Sequence, residues 1–132
     1  MLNELAKEVH QNAVEHGWWE EERSFGEIIA LCHSELSEAL EEHRNGFAST
    51  NTYYACKAPK SAYDESGDLP ECKGVCNSCK YGKPEGIAVE LADCIIRILD
   101  YCCKEEIDID EAIRIKHKYN KTRPYKHGGK VI

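Results

Sequence analysis

The sequence predicts an all-α fold of the four-helix bundle type, interrupted by one long cysteine-containing loop. Three observations carry this. Four segments repeat apolar residues at helical spacing. Capping and stop signals bracket them. No stretch alternates apolar and polar residues well enough to read as a strand.

The first helix runs from about Leu2 to His16. Leu2, Leu5, Ala6, Val9 and Ala13 share one face, and Gly17 stops it. Trp18 and Trp19 follow in a loop with the charge run from Glu20 to Arg23. The second helix starts at Ser24, which forms a capping-box pattern with Glu27. Ile28, Leu31, Cys32, Leu36, Ala39 and Leu40 make its stripe, and Asn45-Gly46 ends it. A third spans about Gly86 to Lys104, with Ile87, Leu91, Cys94, Ile95, Ile98, Leu99 and Cys102 inward. The fourth begins near Asp108, again in capping-box register with Glu111, and must end before Pro124. Residues of about 47–85 hold Gly, Pro, Ser, Lys and Cys without a sustained period, and read as a loop inserted into a single domain of residues 1–132. Stripes this short pack better in an oligomer, so a homodimer or homotetramer is expected.

The length of 132 residues suits one domain with a modest core. A net charge of −7 argues against attraction to nucleic-acid polymers or to membranes. Nothing reads as a signal peptide or a spanning helix, and a cytoplasmic protein is expected. Eight cysteines are many for that compartment, where disulfides are rare. Cys32, Cys94, Cys102 and Cys103 lie in helical patterns and act as small buried hydrophobes.

Chemistry enters with two acidic pairs, Glu35-x-x-Glu38 and Glu90-x-x-Asp93. A spacing of three places both carboxylates of a pair on one helix face. A solitary pair of this kind is an ordinary solvated face. Two pairs, each framed by apolar residues, point to a cation that neutralises them. Hard oxygen ligands suit Mg²⁺ or Mn²⁺, and Mg²⁺ held this way commonly works on a phosphate-bearing substrate. The C-terminal segment has the opposite charge. Arg114, Lys116, Lys118, Lys121, Arg123, Lys126 and Lys130 occur there without an acid, joined by His117, His127 and Gly128-Gly129. Such a run is usually a solvated tail. Beside a metal site its cations also suit the free oxygens of a triphosphate. Lys116 and Asn120 share a helix face. Arg97, four residues after Asp93, either pairs with the acids or reaches a phosphate.

Together, HSELSEALEEHRNG, PEGIAVELADCIIRILD and KHKYNKTRPYKHGGK resemble the MazG-type all-α nucleoside triphosphate pyrophosphohydrolases. With the first helix and GWW the likeness covers nearly the whole chain outside the insert. It implies Mg²⁺ binding by Glu35, Glu38, Glu90 and Asp93, and hydrolysis of a nucleoside triphosphate between its α- and β-phosphates to the monophosphate and pyrophosphate. It also implies base contacts from His10 and Trp19, which stand at the separations used by the dCTP-type members. Trp18, the neighbour, is the alternative base platform, with the other tryptophan then in the core. Two departures stand out. Ser34 occupies the first position of a motif that often opens with two adjacent acids, and Arg97 replaces an aromatic of some dCTP-type members.

In this reading the cation bridges phosphate oxygens and activates a water whose proton passes to a carboxylate, Glu38 first and Glu35 next. Lys116, Asn120 and Arg123 steady the leaving pyrophosphate. Trp19 is equally a core aromatic closing the bundle end, and a histidine placed like His10 is more often a satisfied or exposed helix residue. A phosphoribosyl-ATP pyrophosphohydrolase is the same chemistry on another nucleotide. The competing class is a non-catalytic zinc-binding interaction module. Its basis is Cys72-x-x-x-Cys76-x-x-Cys79 with Cys56 upstream, a set that suits a structural zinc. Free thiols, a regulatory disulfide or an iron–sulfur cluster are the other readings of those four.

Overall fold

The computed structural model describes residues 1–72 and 74–126. They are mostly helical: α1 (Leu2–Glu15), α2 (Phe25–Arg44), α3 (Ile87–Lys104) and α4 (Ile109–Lys121). Each helix falls within about two residues of where its apolar periodicity places it. Among the described residues none is long and apolar enough to cross a membrane. The insert differs from the loop expected of it. It holds strands β1 (Tyr53–Cys56) and β2 (Gly82–Glu85), paired antiparallel, and 3-10 turns at Lys60–Ala62 and Cys76–Ser78.

The capping signals act as the sequence implies, with one exception. At α2 the box is complete. Ser24 N donates to Glu27 Oε2 at 2.7 Å, and Glu27 N donates to Ser24 Oγ at 3.2 Å. At α4 it is half-formed. Asp108 accepts from Glu111 N at 3.0 Å, but the Glu111 carboxylate turns to the Arg114 guanidinium. A charge-assisted, two-pronged bond one turn along outcompetes a neutral backbone donor.

The chain divides into two compact units, Met1–Ile28 with Ile96–Ile132, and Ile29–Ile95. Both α2 and α3 contribute residues to each. In the first unit α1 and α4 pack together and satisfy each other's first turns. Asp110 accepts from the backbone N–H groups of Leu2 and Asn3 at 3.0 Å, while Asn3 Oδ1 accepts from Ile109 N at 3.0 Å. Donors that every helix N-terminus leaves open are thus met across the pair. Ala6, Ile28, Leu99 and Cys102 are buried there.

The second unit joins the remainder of α2 and α3 to the insert. Its buried stripe on α2 is Cys32, Glu35 and Ala39, and on α3 Ile87, Glu90 and Cys94. The intervals of three and four are those of a core-facing helix seam. The hairpin is anchored by Tyr53, whose hydroxyl donates to Glu42 Oε1 at 2.8 Å on α2, with Glu85 Oε2 at 3.3 Å. Those hydrogen bonds, the Glu42 one foremost, push the Tyr53 hydroxyl up to about 12. Phe47 stacks on the same ring with centroids 4.7 Å apart. Gly86 then links β2 to α3 at φ 127°, where a side chain would also strike the Asn51 carbonyl oxygen.

Candidate metal centre

Glu35 and Glu90 occupy positions in the buried stripes of α2 and α3 that an apolar side chain would ordinarily fill. They are 6% and 5% exposed, respectively. Asp93, one turn after Glu90 and half-buried, completes a trio. One carboxylate oxygen from each of the three lies within 4.8 Å of the other two. This is the one group of three or more potential metal ligands so gathered among the described residues. Glu38 is not a member. It is exposed on α2, and its side chain hydrogen-bonds to Glu90 instead.

Burial and like charge dominate the electrostatics of the cluster. Burial first, then the hydrogen bond and charge of Glu38, and then the charge of Asp93, push the Glu90 carboxyl up to about 7. Lys83 on β2 opposes this shift only in part. Glu90 Oε2 is buried without any hydrogen-bond partner, which is costly for a carboxylate oxygen. An oxygen-lined, anionic site with an orphaned ligand atom fits Mg²⁺ or Mn²⁺ and does not favour zinc.

The other expected site residues belong to the first unit. His10 and Trp19 meet, with ring centroids 5.9 Å apart, but their polar edges are committed. Both point at Asp100, which is 6% exposed on α3. His10 Nδ1 lies 2.6 Å from Asp100 Oδ1, and Trp19 Nε1 donates to Asp100 Oδ1 and Oδ2 at 2.9 and 3.1 Å. Asp100 is the residue that sequence reasoning missed. Its signal was present: a single carboxylate inside the apolar run of residues 95–103 needs partners when buried. Trp18 is faced by two guanidinium groups, Arg23 at 3.9 Å and Arg97 at 5.1 Å from its centroid. Arg97 therefore has an aromatic partner that neither expectation for it included.

Lys116 and Asn120 are exposed on α4, and Arg123 is half-buried just beyond its end. The Lys116 ammonium lies 5.0 Å from the Tyr119 ring centroid. His127, Gly128, Gly129 and Lys130 lie outside the described residues. Cys32, Cys94 and Cys102 are buried, as expected of small hydrophobes, while Cys103 is half-buried. Cys56 and Cys72 are exposed and Cys76 and Cys79 half-buried, all four as free thiols.

Comparison with protein-family models, with curated proteins and with solved structures gave no match.

Proposed function

We propose that this chain is a Mg²⁺-dependent nucleoside triphosphate pyrophosphohydrolase. It would cleave (d)NTPs between the α- and β-phosphates, giving the nucleoside monophosphate and pyrophosphate. The observation that carries the reading is the trio Glu35, Glu90 and Asp93, with three carboxylates in reach of one ion and two of them buried. Buried like charges are destabilising by themselves and are retained for a cation or for a reaction. The resemblance of both acidic motifs and of the basic segment to the MazG-type enzymes supplies the reaction class. The four helices are consistent with the bundle of that family.

Glu35, Glu90 and Asp93 would hold the cation, with Mn²⁺ an acceptable substitute. When bound there, Mg²⁺ would offset the charge of phosphate oxygens and leave the phosphorus more electrophilic. Glu38 is the proposed proton acceptor from the attacking water. It is exposed, it adjoins Glu90, and it is outside the trio, so its carboxylate is left for proton transfer. Base recognition is not assigned to His10 Nδ1 or Trp19 Nε1, since Asp100 engages both. The reading extends to a homo-oligomer. Leu36 and Leu40 on α2, and Leu91 and Ile95 on α3, are 43–57% exposed in i,i+4 pairs suited to covering by a second copy.

Product analysis tests the proposal. A panel of ribo- and deoxyribonucleoside triphosphates, incubated with Mg²⁺ and separated by anion exchange, should yield monophosphate and pyrophosphate in equal amounts. Diphosphate with orthophosphate would place attack at the γ-phosphorus and contradict the mechanism.

A further inference from the structure

We propose that Cys56, Cys72, Cys76 and Cys79 hold a structural zinc ion that staples the insert. The first argument is the insert's missing core. From residue 47 to residue 85 no described side chain is buried, yet the segment forms a hairpin and two 3-10 turns. Apart from the Tyr53 hydroxyl on Glu42, little anchors the hairpin, and two strands alone are marginal in water. Segments without apolar burial commonly gain their order from a metal or a disulfide. The four thiols are free, so no disulfide does that work.

The second argument is where the backbone brings the cysteines. Gly82 is the hub. It faces Cys56 across the strand pair, and its N–H donates to the Cys79 carbonyl at 2.9 Å. A Cβ on residue 82 would collide with the Cys76 carbonyl oxygen. Three of the cysteines thus border one glycine, whose missing side chain permits the approach. Cys72 joins them through its neighbour: Glu71 forms an ion pair with Lys80, the residue after Cys79.

Charge and hydrogen bonding add the chemistry. Two thiol sulfurs already accept backbone N–H groups, Cys72 from Gly74 and Cys79 from Tyr81, both at 3.5 Å. Such donors orient a thiolate and spread its charge when it ligates a metal. Cys56, Cys72 and Cys79 are each followed in sequence by lysine. A zinc ion with four thiolates carries a net double negative charge, which these lysines offset. As placed, the four sulfurs do not form a group closed within 4.8 Å. Ligation draws them together, and each thiol releases its proton to solvent as it ligates.

Metal analysis of the full chain, purified without added metal, gives the test. One zinc per chain is expected, with the four insert thiols protected from a thiol reagent until a chelator is added. Cys79→Ser and Cys56→Ser should lose the zinc, while Cys103→Ser and Glu90→Gln keep it. Replacing zinc with Co²⁺ in the unaltered chain should produce a thiolate-to-cobalt charge-transfer band, a readout independent of variant folding. Absence of zinc together with absence of that band would overturn the proposal. So would stoichiometric iron in place of zinc, a disulfide among the four cysteines, or zinc that leaves with Glu90→Gln.

Discussion

Asp93→Asn is expected to lower Mg²⁺-dependent triphosphate hydrolysis at least about 10³-fold, a loss of ~4 kcal/mol in transition-state stabilisation. The substitution keeps the size of the side chain and removes one anionic ligand from the trio. Asp93 is only half-buried, so helical circular dichroism and the unfolding midpoint should stay near wild type. Initial rates of pyrophosphate release over a Mg²⁺ series provide the check. A rate within tenfold of wild type at saturating Mg²⁺ would remove Asp93 from the machinery. Glu38→Gln should lose turnover by a comparable factor but retain metal binding, because its proposed role is proton transfer.

The second large effect runs in the opposite direction. Metal-free protein should be stabilised by Glu90→Gln at pH 8, by about 1–3 kcal/mol. The Glu90 carboxyl titrates near 7 in the folded chain against an ordinary 4.5. Between those values the folded state binds more protons than the unfolded one, so stability falls as pH rises through the window. The penalty is absent below about pH 4.5, grows toward pH 7 and is complete above it. The amide cannot ionise, and the variant should lack this slope. Saturating Mg²⁺ should then reverse the ranking at pH 8, because the ion stabilises the intact trio by mass action, ~4.1 kcal/mol at a thousand times its dissociation constant. Chemical denaturation of both proteins at pH 5 and pH 8, with and without Mg²⁺, measures these effects. Equal stability of the two metal-free proteins at pH 8 would mean that Glu90 ionises there without penalty.

Helix positions were legible because long periodic segments with caps carry their own signal. Ser24 with Glu27 and Asp108 with Glu111 are local devices. The strands were not legible for physical reasons. β2 is Gly-Lys-Pro-Glu, with two residues that strands avoid, and β1 is four residues long. What makes them a hairpin lies outside the strands' own propensities: the Tyr53 hydroxyl held by Glu42, and the collision at Gly82 that only glycine escapes. The acidic motifs were legible as motifs. Which of the four acids converge was not, because that depends on helix rotation, which buries Glu35 and leaves Glu38 at the surface. Asp100 escaped notice because a lone acid has no motif. Its partners His10 and Trp19 lie 81 or more residues away in sequence.

Mn²⁺ titration followed by electron paramagnetic resonance, at pH 8 in the absence of nucleotide, tests most directly that the acidic trio is a metal centre. Wild type and Glu38→Gln should bind the ion, whereas Glu35→Gln, Glu90→Gln and Asp93→Asn should leave it free in solution at the same concentrations. Binding should tighten as pH rises through about 7, because the Glu90 proton must leave first. Undiminished Mn²⁺ binding by the three trio variants would contradict the account.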